Sequence, residues 1–139
     1  MASRRERGAF LTVMAVLLGI LTISNLTKAL QYVNDPKVGG IVIFGVKHEG
    51  VVPNLVLGPL MALVVGAYAY GLWTLRRWVG PLSVAYAFYV PLNLVLFWYF
   101  QTGADVPPLG FMLSYLAVAF TGSIGTALYL ARHHEKLAA

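Results

Sequence analysis

Residues 76–100 read RRWVGPLSVAYAFYVPLNLVLFWYF, and this stretch decides the fold. Two arginines and a tryptophan precede an apolar run that contains Pro91 and Asn93 and ends in three aromatic residues. About 20 apolar residues are enough for a helix to cross the hydrocarbon core of a bilayer. Basic and aromatic residues at the two ends of such a run are typical of the membrane interfaces. The sequence therefore predicts a transmembrane helix over about residues 80–100.

The composition of the whole chain indicates the same class of protein. Its 139 residues are 59% hydrophobic and only 11% charged, whereas a typical soluble domain is about 25% charged. The surplus apolar surface has to face lipid, so an integral membrane protein is predicted. The net charge of +5 does not indicate nucleic-acid binding, because the basic residues lie in short clusters at the ends of apolar runs.

Three further apolar segments predict helices at about residues 8–32, 52–75 and 107–131. Short connections make sequential helices antiparallel neighbours. We therefore predict an all-α integral membrane protein, in which residues 1–139 form one domain of four transmembrane helices in an antiparallel up-down bundle.

The longest predicted loop covers residues 33–51 and contains a short apolar segment. Ile41–Val46 is too short to span a bilayer, is rich in β-branched residues and is bracketed by glycines. This pattern predicts an extracytoplasmic loop that forms a short hairpin or an interfacial flap. Loops of this length often carry a function.

The distribution of basic residues predicts the orientation of the chain. With both termini on one side, that side holds seven of the ten basic residues and the other side holds three. The positive-inside rule places the first side in the cytoplasm, and we expect the plasma membrane, of the bacterial inner-membrane kind. The seven are Arg4, Arg5, Arg7, Arg76, Arg77, Arg132 and Lys136, and the three are Lys28, Lys37 and Lys47.

Polar side chains occur in the half of each predicted helix that faces away from the cytoplasm. The functional hypothesis is an outward-facing pocket for a small molecule, with the long loop as its lid. The structural hypothesis, which we favour, is that the same groups form hydrogen bonds between helices, each worth about 0.6 kcal/mol. The candidate ligand-binding residues are Asn25, Lys28, Asn54, Tyr86, Tyr89 and Asn93.

Small residues recur at helical spacing on two of the predicted helices. Such residues let two helix backbones approach closely inside a membrane. The stripes exceed what one bundle needs, so they predict docking of another copy or of a larger membrane complex. The predicted packing positions are Gly58, Ala62 and Gly66 on the second helix and Ser114, Ala117, Thr121 and Gly125 on the fourth, with Ala119, Ser123 and Ala127 as a further ladder.

Several chemistries are disfavoured by what the chain lacks. There are no cysteines, and no carboxylate or histidine lies within a predicted span, which argues against thiolate metal sites, haem ligation and proton-coupled transport. His133 and His134 are adjacent and do not share a helix face. Lys47-His48-Glu49 has no third group to fix its geometry. We expect neither a catalytic site nor a metal or other cofactor.

The sequence thus favours a small, non-catalytic, multi-pass membrane protein. The preferred function is that of an accessory or structural subunit that packs against itself or a larger membrane complex. The alternative is a small-molecule binder or transporter that uses the outward-facing polar pocket. Weaker hypotheses are an outer-leaflet enzyme using His48 and Glu49, or a pigment or quinone stacked on Trp98 and Tyr99.

Overall fold

The computed structural model of the protein describes residues 7–37, 39–100 and 109–137. Within these ranges the chain forms five α-helices, one short β-hairpin and one turn of 3-10 helix, so the predicted helical class is confirmed. The elements are α1 (Gly8–Leu26), α2 (Lys28–Asn34), β1 (Val42–Ile43), β2 (Val46–Lys47), α3 (Val51–Thr74), α4 (Val79–Phe100), α5 (Leu109–Arg132) and the 3-10 helix His134–Lys136.

Three of the helices are long and apolar enough to cross a membrane. They are α1, α3 and α4, with 19, 24 and 22 residues and mean hydropathies of 2.1, 1.9 and 1.5. None of the three contains a charged residue, and isolated charges are what makes insertion costly. In α5 the described apolar segment is shorter, Leu116–Arg132, and Pro107 and Pro108 of the predicted fourth helix lie outside the described residues.

The predicted helix 8–32 is divided at Thr27 into α1 and α2, which together extend to Asn34. At the division, polar side chains form hydrogen bonds with backbone carbonyls of the helix. The Thr27 hydroxyl contacts the carbonyls of Ile23 and Ser24 at 3.1 and 3.2 Å. The side-chain amide of Gln31 donates to the Ser24 carbonyl at 2.9 Å. Local bonds of this kind compete with the backbone ladder and interrupt a helix.

The long helices associate as two antiparallel pairs, α1 with α3 and α4 with α5. At one end of the first pair, the Arg7 guanidinium stacks 3.7 Å from the centre of the Trp73 ring. At the other end, Gly58 lies so close to the backbone of Asn25 that a Cβ on the glycine would overlap the Asn25 carbonyl.

The two pairs meet in an apolar core at one end of the molecule. This basic end, as we name it, comprises the start of α1, the turn between α3 and α4, and the end of α5. Phe10 of α1 contacts Tyr129 of α5 with ring centroids 5.3 Å apart. The buried cluster contains Leu11, Ala15, Leu18, Val65, Tyr68, Leu72, Leu75, Val79, Leu130 and Leu137.

Five described basic residues, Arg7, Arg76, Arg77, Arg132 and Lys136, belong to the elements that meet at the basic end. Lys28, Lys37 and Lys47 belong to the opposite, hairpin end, where the Lys47 ammonium donates to the carbonyls of Pro36 and Lys37 at 2.9 and 2.6 Å. Arg4 and Arg5 lie outside the described residues. The fold thus separates the two groups of basic residues along the helix axes.

Candidate functional site

The hairpin in the long loop has a tight two-residue turn. Val42 pairs with Lys47 and Ile43 with Val46, which leaves Phe44 and Gly45 as the turn. Both turn residues have positive φ, +48° and +78°, as a type I′ hairpin requires. For the phenylalanine this left-handed conformation costs about 1–2 kcal/mol. The surrounding contacts have to offset that cost.

Asn54, in the first turn of α3, fixes the base of the hairpin. Its Oδ1 accepts a hydrogen bond from the Ile41 N–H at 2.7 Å. Its Nδ2 donates to the carbonyls of His48 and Gly50 at 2.9 and 2.7 Å. The residue is fully buried. One amide therefore joins both sides of the hairpin to the helix that follows it.

Asn93 fixes the tip of the hairpin to α4. Its Oδ1 accepts a hydrogen bond from the Gly45 N–H at 2.7 Å. Gly45 lies directly on the α4 backbone, because a Cβ there would overlap Leu96 and Phe97. The ring of Phe44 meets that of Tyr89 edge to face, with centroids 5.4 Å apart. These contacts hold the strained turn in place.

The position of Asn93 along α4 explains why an amide is needed there. It lies 14 residues after Val79, or about 21 Å along the helix at 1.5 Å per residue. In a helix that crosses a core of about 30 Å, that depth is still within the apolar layer. Backbone groups at such a depth require partners within the protein, since lipid offers none. Asn54 and Asn93 supply partners for the non-helical backbone of the hairpin.

Asn25 and Lys28 lie elsewhere, at the contact between α1, α2 and α3. Asn25 is buried where Gly58 meets its carbonyl. The Lys28 side chain is half-buried, and its ammonium lies 3.3 Å from Oε1 of Gln31. Burial lowers the pKa of Lys28 below its ordinary value. The lysine is thus held by its own short helix and is not directed toward the hairpin amides.

Tyr86 and Tyr89 belong to a row of aromatic rings between α3 and α4. Tyr68 lies 5.2 Å from Tyr86, and Tyr86 lies 6.5 Å from Tyr89, measured between ring centroids. Phe44 continues the row at the hairpin tip. Two of the candidate ligand-binding residues thus contact other aromatic rings of the same chain.

The six candidate ligand-binding residues therefore fall into different environments. Asn93 and Tyr89 lie at the hairpin tip, and Asn54 holds its base. Tyr86 packs against Tyr68 of α3, and Asn25 and Lys28 lie at the α1–α3 contact. Sequence reasoning did not identify Ile41 and Gly45 as partners of the asparagines, or Phe44 as the partner of Tyr89. The β-branched segment bracketed by glycines was the available signal for the hairpin, but nothing in the sequence showed where its tip would lie.

The predicted packing positions divide between the inside and the outside of the fold. Gly58 and Ala62 are buried, Gly66 faces the Thr22 side chain, and Gly125 faces Phe10. The further ladder on α5 also points inward, since Ser123 and Ala127 are buried. Ser114, Ala117 and Thr121 are exposed on α5.

No cluster of three or more metal-ligating side chains occurs among the described residues. The His133 ring stacks on Tyr129 at 4.3 Å, whereas His134 lies 4.0 Å from the Glu135 carboxylate. The backbone carbonyl of His48 accepts from Asn54, and Glu49 is exposed. His48 beside the hairpin and the His133-His134 pair at the end of α5 thus have different neighbours.

Comparison with known proteins gives no relative from which a function can be transferred. No protein-family model, no characterised protein and no solved structure matches the chain.

Proposed function

We propose that the protein is a non-catalytic, multi-pass membrane protein that serves as an accessory or structural subunit. The observation that carries this proposal is that two side-chain amides bind the protein's own backbone. Asn54 and Asn93 bind the backbone of the same chain at Ile41, Gly45, His48 and Gly50. In the alternative hypothesis of a small-molecule binder, the same two side-chain amides would have to bind the ligand and not the backbone of the chain.

In this proposal α5 is the fourth transmembrane helix and both termini are cytoplasmic. α5 has 24 residues and packs antiparallel to α4, which is long and apolar enough to span a membrane. The basic end then faces the cytoplasm of a cell with a bacterial type of plasma membrane, in agreement with the positive-inside rule. A fusion reporter at each terminus tests the orientation.

The outer face of α5 supports a role in assembly. Ala117 and Thr121 are exposed, one helical turn apart, with Ser114 a turn earlier. Small exposed residues at this spacing leave room for the backbone of another helix. The partner in the proposal is a second copy of the chain or a helix of a larger membrane complex.

The test is the mass of the gently solubilised protein and of two variants. Thr121→Leu adds bulk to the exposed α5 face and is expected to convert the assembly to the monomer. Val56→Leu adds bulk to an exposed position on α3 and is the matched control, for which wild-type mass is expected. A wild-type protein that is monomeric in a native-like bilayer, or a Thr121→Leu variant that assembles normally, contradicts the proposal.

Gly66 and Gly125 are unsuitable for this test, although both were predicted packing positions. Gly66 meets Thr22 and Gly125 meets Phe10 of the same chain. A leucine at either position would disturb the monomer before it affected any assembly. The exposed residues of α5 avoid this ambiguity.

A further inference from the structure

A groove of about 470 Å³ opens at the basic end between the start of α4 and the end of α5. Its walls come from Gly80, Ser83 and Val84 on one side and Ala127, Leu130 and Ala131 on the other. Arg77, His134 and Glu135 lie at its mouth, and Leu137 closes one end. The volume is in the range of sites that hold a small organic ligand.

The floor of the groove is apolar. Gly80 and the two alanines leave room between the helices, and Leu137 lies 3.8 Å from where a Cβ on Gly80 would be. The Ser83 hydroxyl is buried and donates to the Gly80 carbonyl at 2.6 Å, so its proton is already used within α4. A hydrocarbon chain suits such a floor, whereas a polar ligand would find no free donor from Ser83 there.

The mouth of the groove carries one guanidinium and one carboxylate, those of Arg77 and Glu135. The Arg77 side chain is exposed and forms no hydrogen bond or ion pair within the described parts of the chain. Arg132 and Lys136 belong to the same end of the molecule. The one carboxylate at the mouth, that of Glu135, lies 4.0 Å from His134. Basic residues outnumber carboxylates at this end of the molecule, and Arg77 is the one that lines the groove, so an anion is favoured beside Arg77.

We infer that this groove binds an anionic phospholipid. The phosphate of the headgroup would pair with the Arg77 guanidinium, whose planar donors match phosphate oxygens. The first part of one acyl chain would lie on the apolar floor and leave it past Val84, whose side chain is exposed. Basic pockets between transmembrane helices on the cytoplasmic side recognise anionic headgroups for these physical reasons.

The membrane position of the groove supports a lipid over a soluble anion. The groove lies at the first turn of α4, a helix long and apolar enough to span the bilayer. Headgroups lie at that level, immediately outside the hydrocarbon core. The inference rests on the proposed arrangement in which α4 and α5 cross the membrane with the basic end in the cytoplasm, and it holds whether or not the protein is a subunit of a complex.

The first test measures lipid retention by native mass spectrometry. The full-length protein in detergent receives equal amounts of phosphatidylglycerol and phosphatidylcholine. Wild type is expected to retain the anionic lipid preferentially. Arg77→Gln should reduce its binding about 5-fold, the equivalent of about 1 kcal/mol for one basic residue near a membrane surface. Arg77→Lys should restore part of the preference.

A matched control removes the same charge from the same end of the molecule. Arg132 does not line the groove, so Arg132→Gln is expected to retain the anionic lipid within about 2-fold of wild type, since its effect is only long-range and screened. Equal losses in the two arginine variants would overturn the inference, because they would show a diffuse attraction to the basic end. No preference in wild type would overturn it as well.

The second test separates a lipid from a free phosphate. Ala131→Phe fills the groove without changing its charge, whereas Leu128→Phe adds the same ring at an exposed position outside the groove. The inference predicts loss of the anionic lipid only in Ala131→Phe, and no displacement by millimolar inorganic phosphate. Retention in Ala131→Phe together with displacement by inorganic phosphate would show a free-phosphate site and contradict the lipid assignment.

Discussion

The two ends of the molecule are held together by different forces. At the basic end, apolar side chains from α1, α3, α4 and α5 are buried against each other around Leu72 and Val79. At the hairpin end, side-chain amides bind backbone groups, and the principal residues are Asn54 and Asn93. The same apolar chain thus uses core packing at one end and directed hydrogen bonds at the other.

The difference follows from the backbone that each end has to accommodate. Helices satisfy their own N–H and C=O groups, so at the basic end only side-chain shape remains to be matched. The hairpin leaves N–H and C=O groups on its edges without hydrogen-bond partners in the hairpin itself. A short hairpin is also only marginally stable by itself. Asparagine carries both a donor and an acceptor, so one residue can serve both sides of the hairpin.

The largest expected effect comes from breaking the core at the basic end. Leu72 has no exposed surface, and Leu72→Ala should lower the free energy of unfolding by about 3 kcal/mol through lost burial and a residual cavity. Thermal unfolding followed by circular dichroism measures the change. Leu63→Ala is the control on the same helix, where the side chain is 72% exposed. Equal losses in the two variants would contradict a core at this end.

The next largest effect should come from the base of the hairpin. Asn54→Ala removes three hydrogen bonds and leaves the buried Ile41 N–H without its acceptor, at a cost of about 2–3 kcal/mol. The chain has no cysteine, so a single cysteine at Val46 reports hairpin opening by its rate of reaction with a maleimide. The rate should rise strongly in Asn54→Ala and stay unchanged in Asn34→Ala, an exposed asparagine.

A smaller effect is expected at the hairpin tip. Gly45→Ala places a Cβ against the α4 backbone and occupies a positive φ, which should cost about 2 kcal/mol and increase labelling at Val46 about 30-fold. Gly50→Ala is the control, because Gly50 also has positive φ but has only Pro53 nearby, at 3.4 Å. If Gly45→Ala and Gly50→Ala increase labelling at Val46 equally, backbone strain alone explains the effect. The contact of Gly45 with the α4 backbone would then have no part in it.

Much of the fold follows from local sequence. The predicted helices 52–75 and 80–100 differ by one residue from the starts of α3 and α4, because the apolar runs end at turns rich in arginine or glycine. The β-branched, glycine-bracketed segment Ile41–Val46 predicted a short hairpin or an interfacial flap, and the structure has the hairpin.

The candidate site depended on contacts that local sequence does not encode. Asn93 binds Gly45 across 48 positions of sequence, and no periodicity relates the two. The chemistry of the asparagines was predicted to join helices, but their partners are backbone groups of a loop. The division of the first helix was missed because it depends on Thr27 and Gln31 side chains capturing carbonyls, which a hydropathy pattern cannot show.

The most direct test of the account is hydrogen exchange at two backbone amides in Asn93→Leu. The Gly45 N–H should exchange at least about 10-fold faster than in wild type, the equivalent of one lost hydrogen bond of about 1.4 kcal/mol. The Ile41 N–H, which donates to Asn54, should keep its wild-type rate. Unchanged protection at Gly45 would contradict the central claim that the Asn93 amide holds the hairpin and would return Asn93 to the ligand-binding hypothesis.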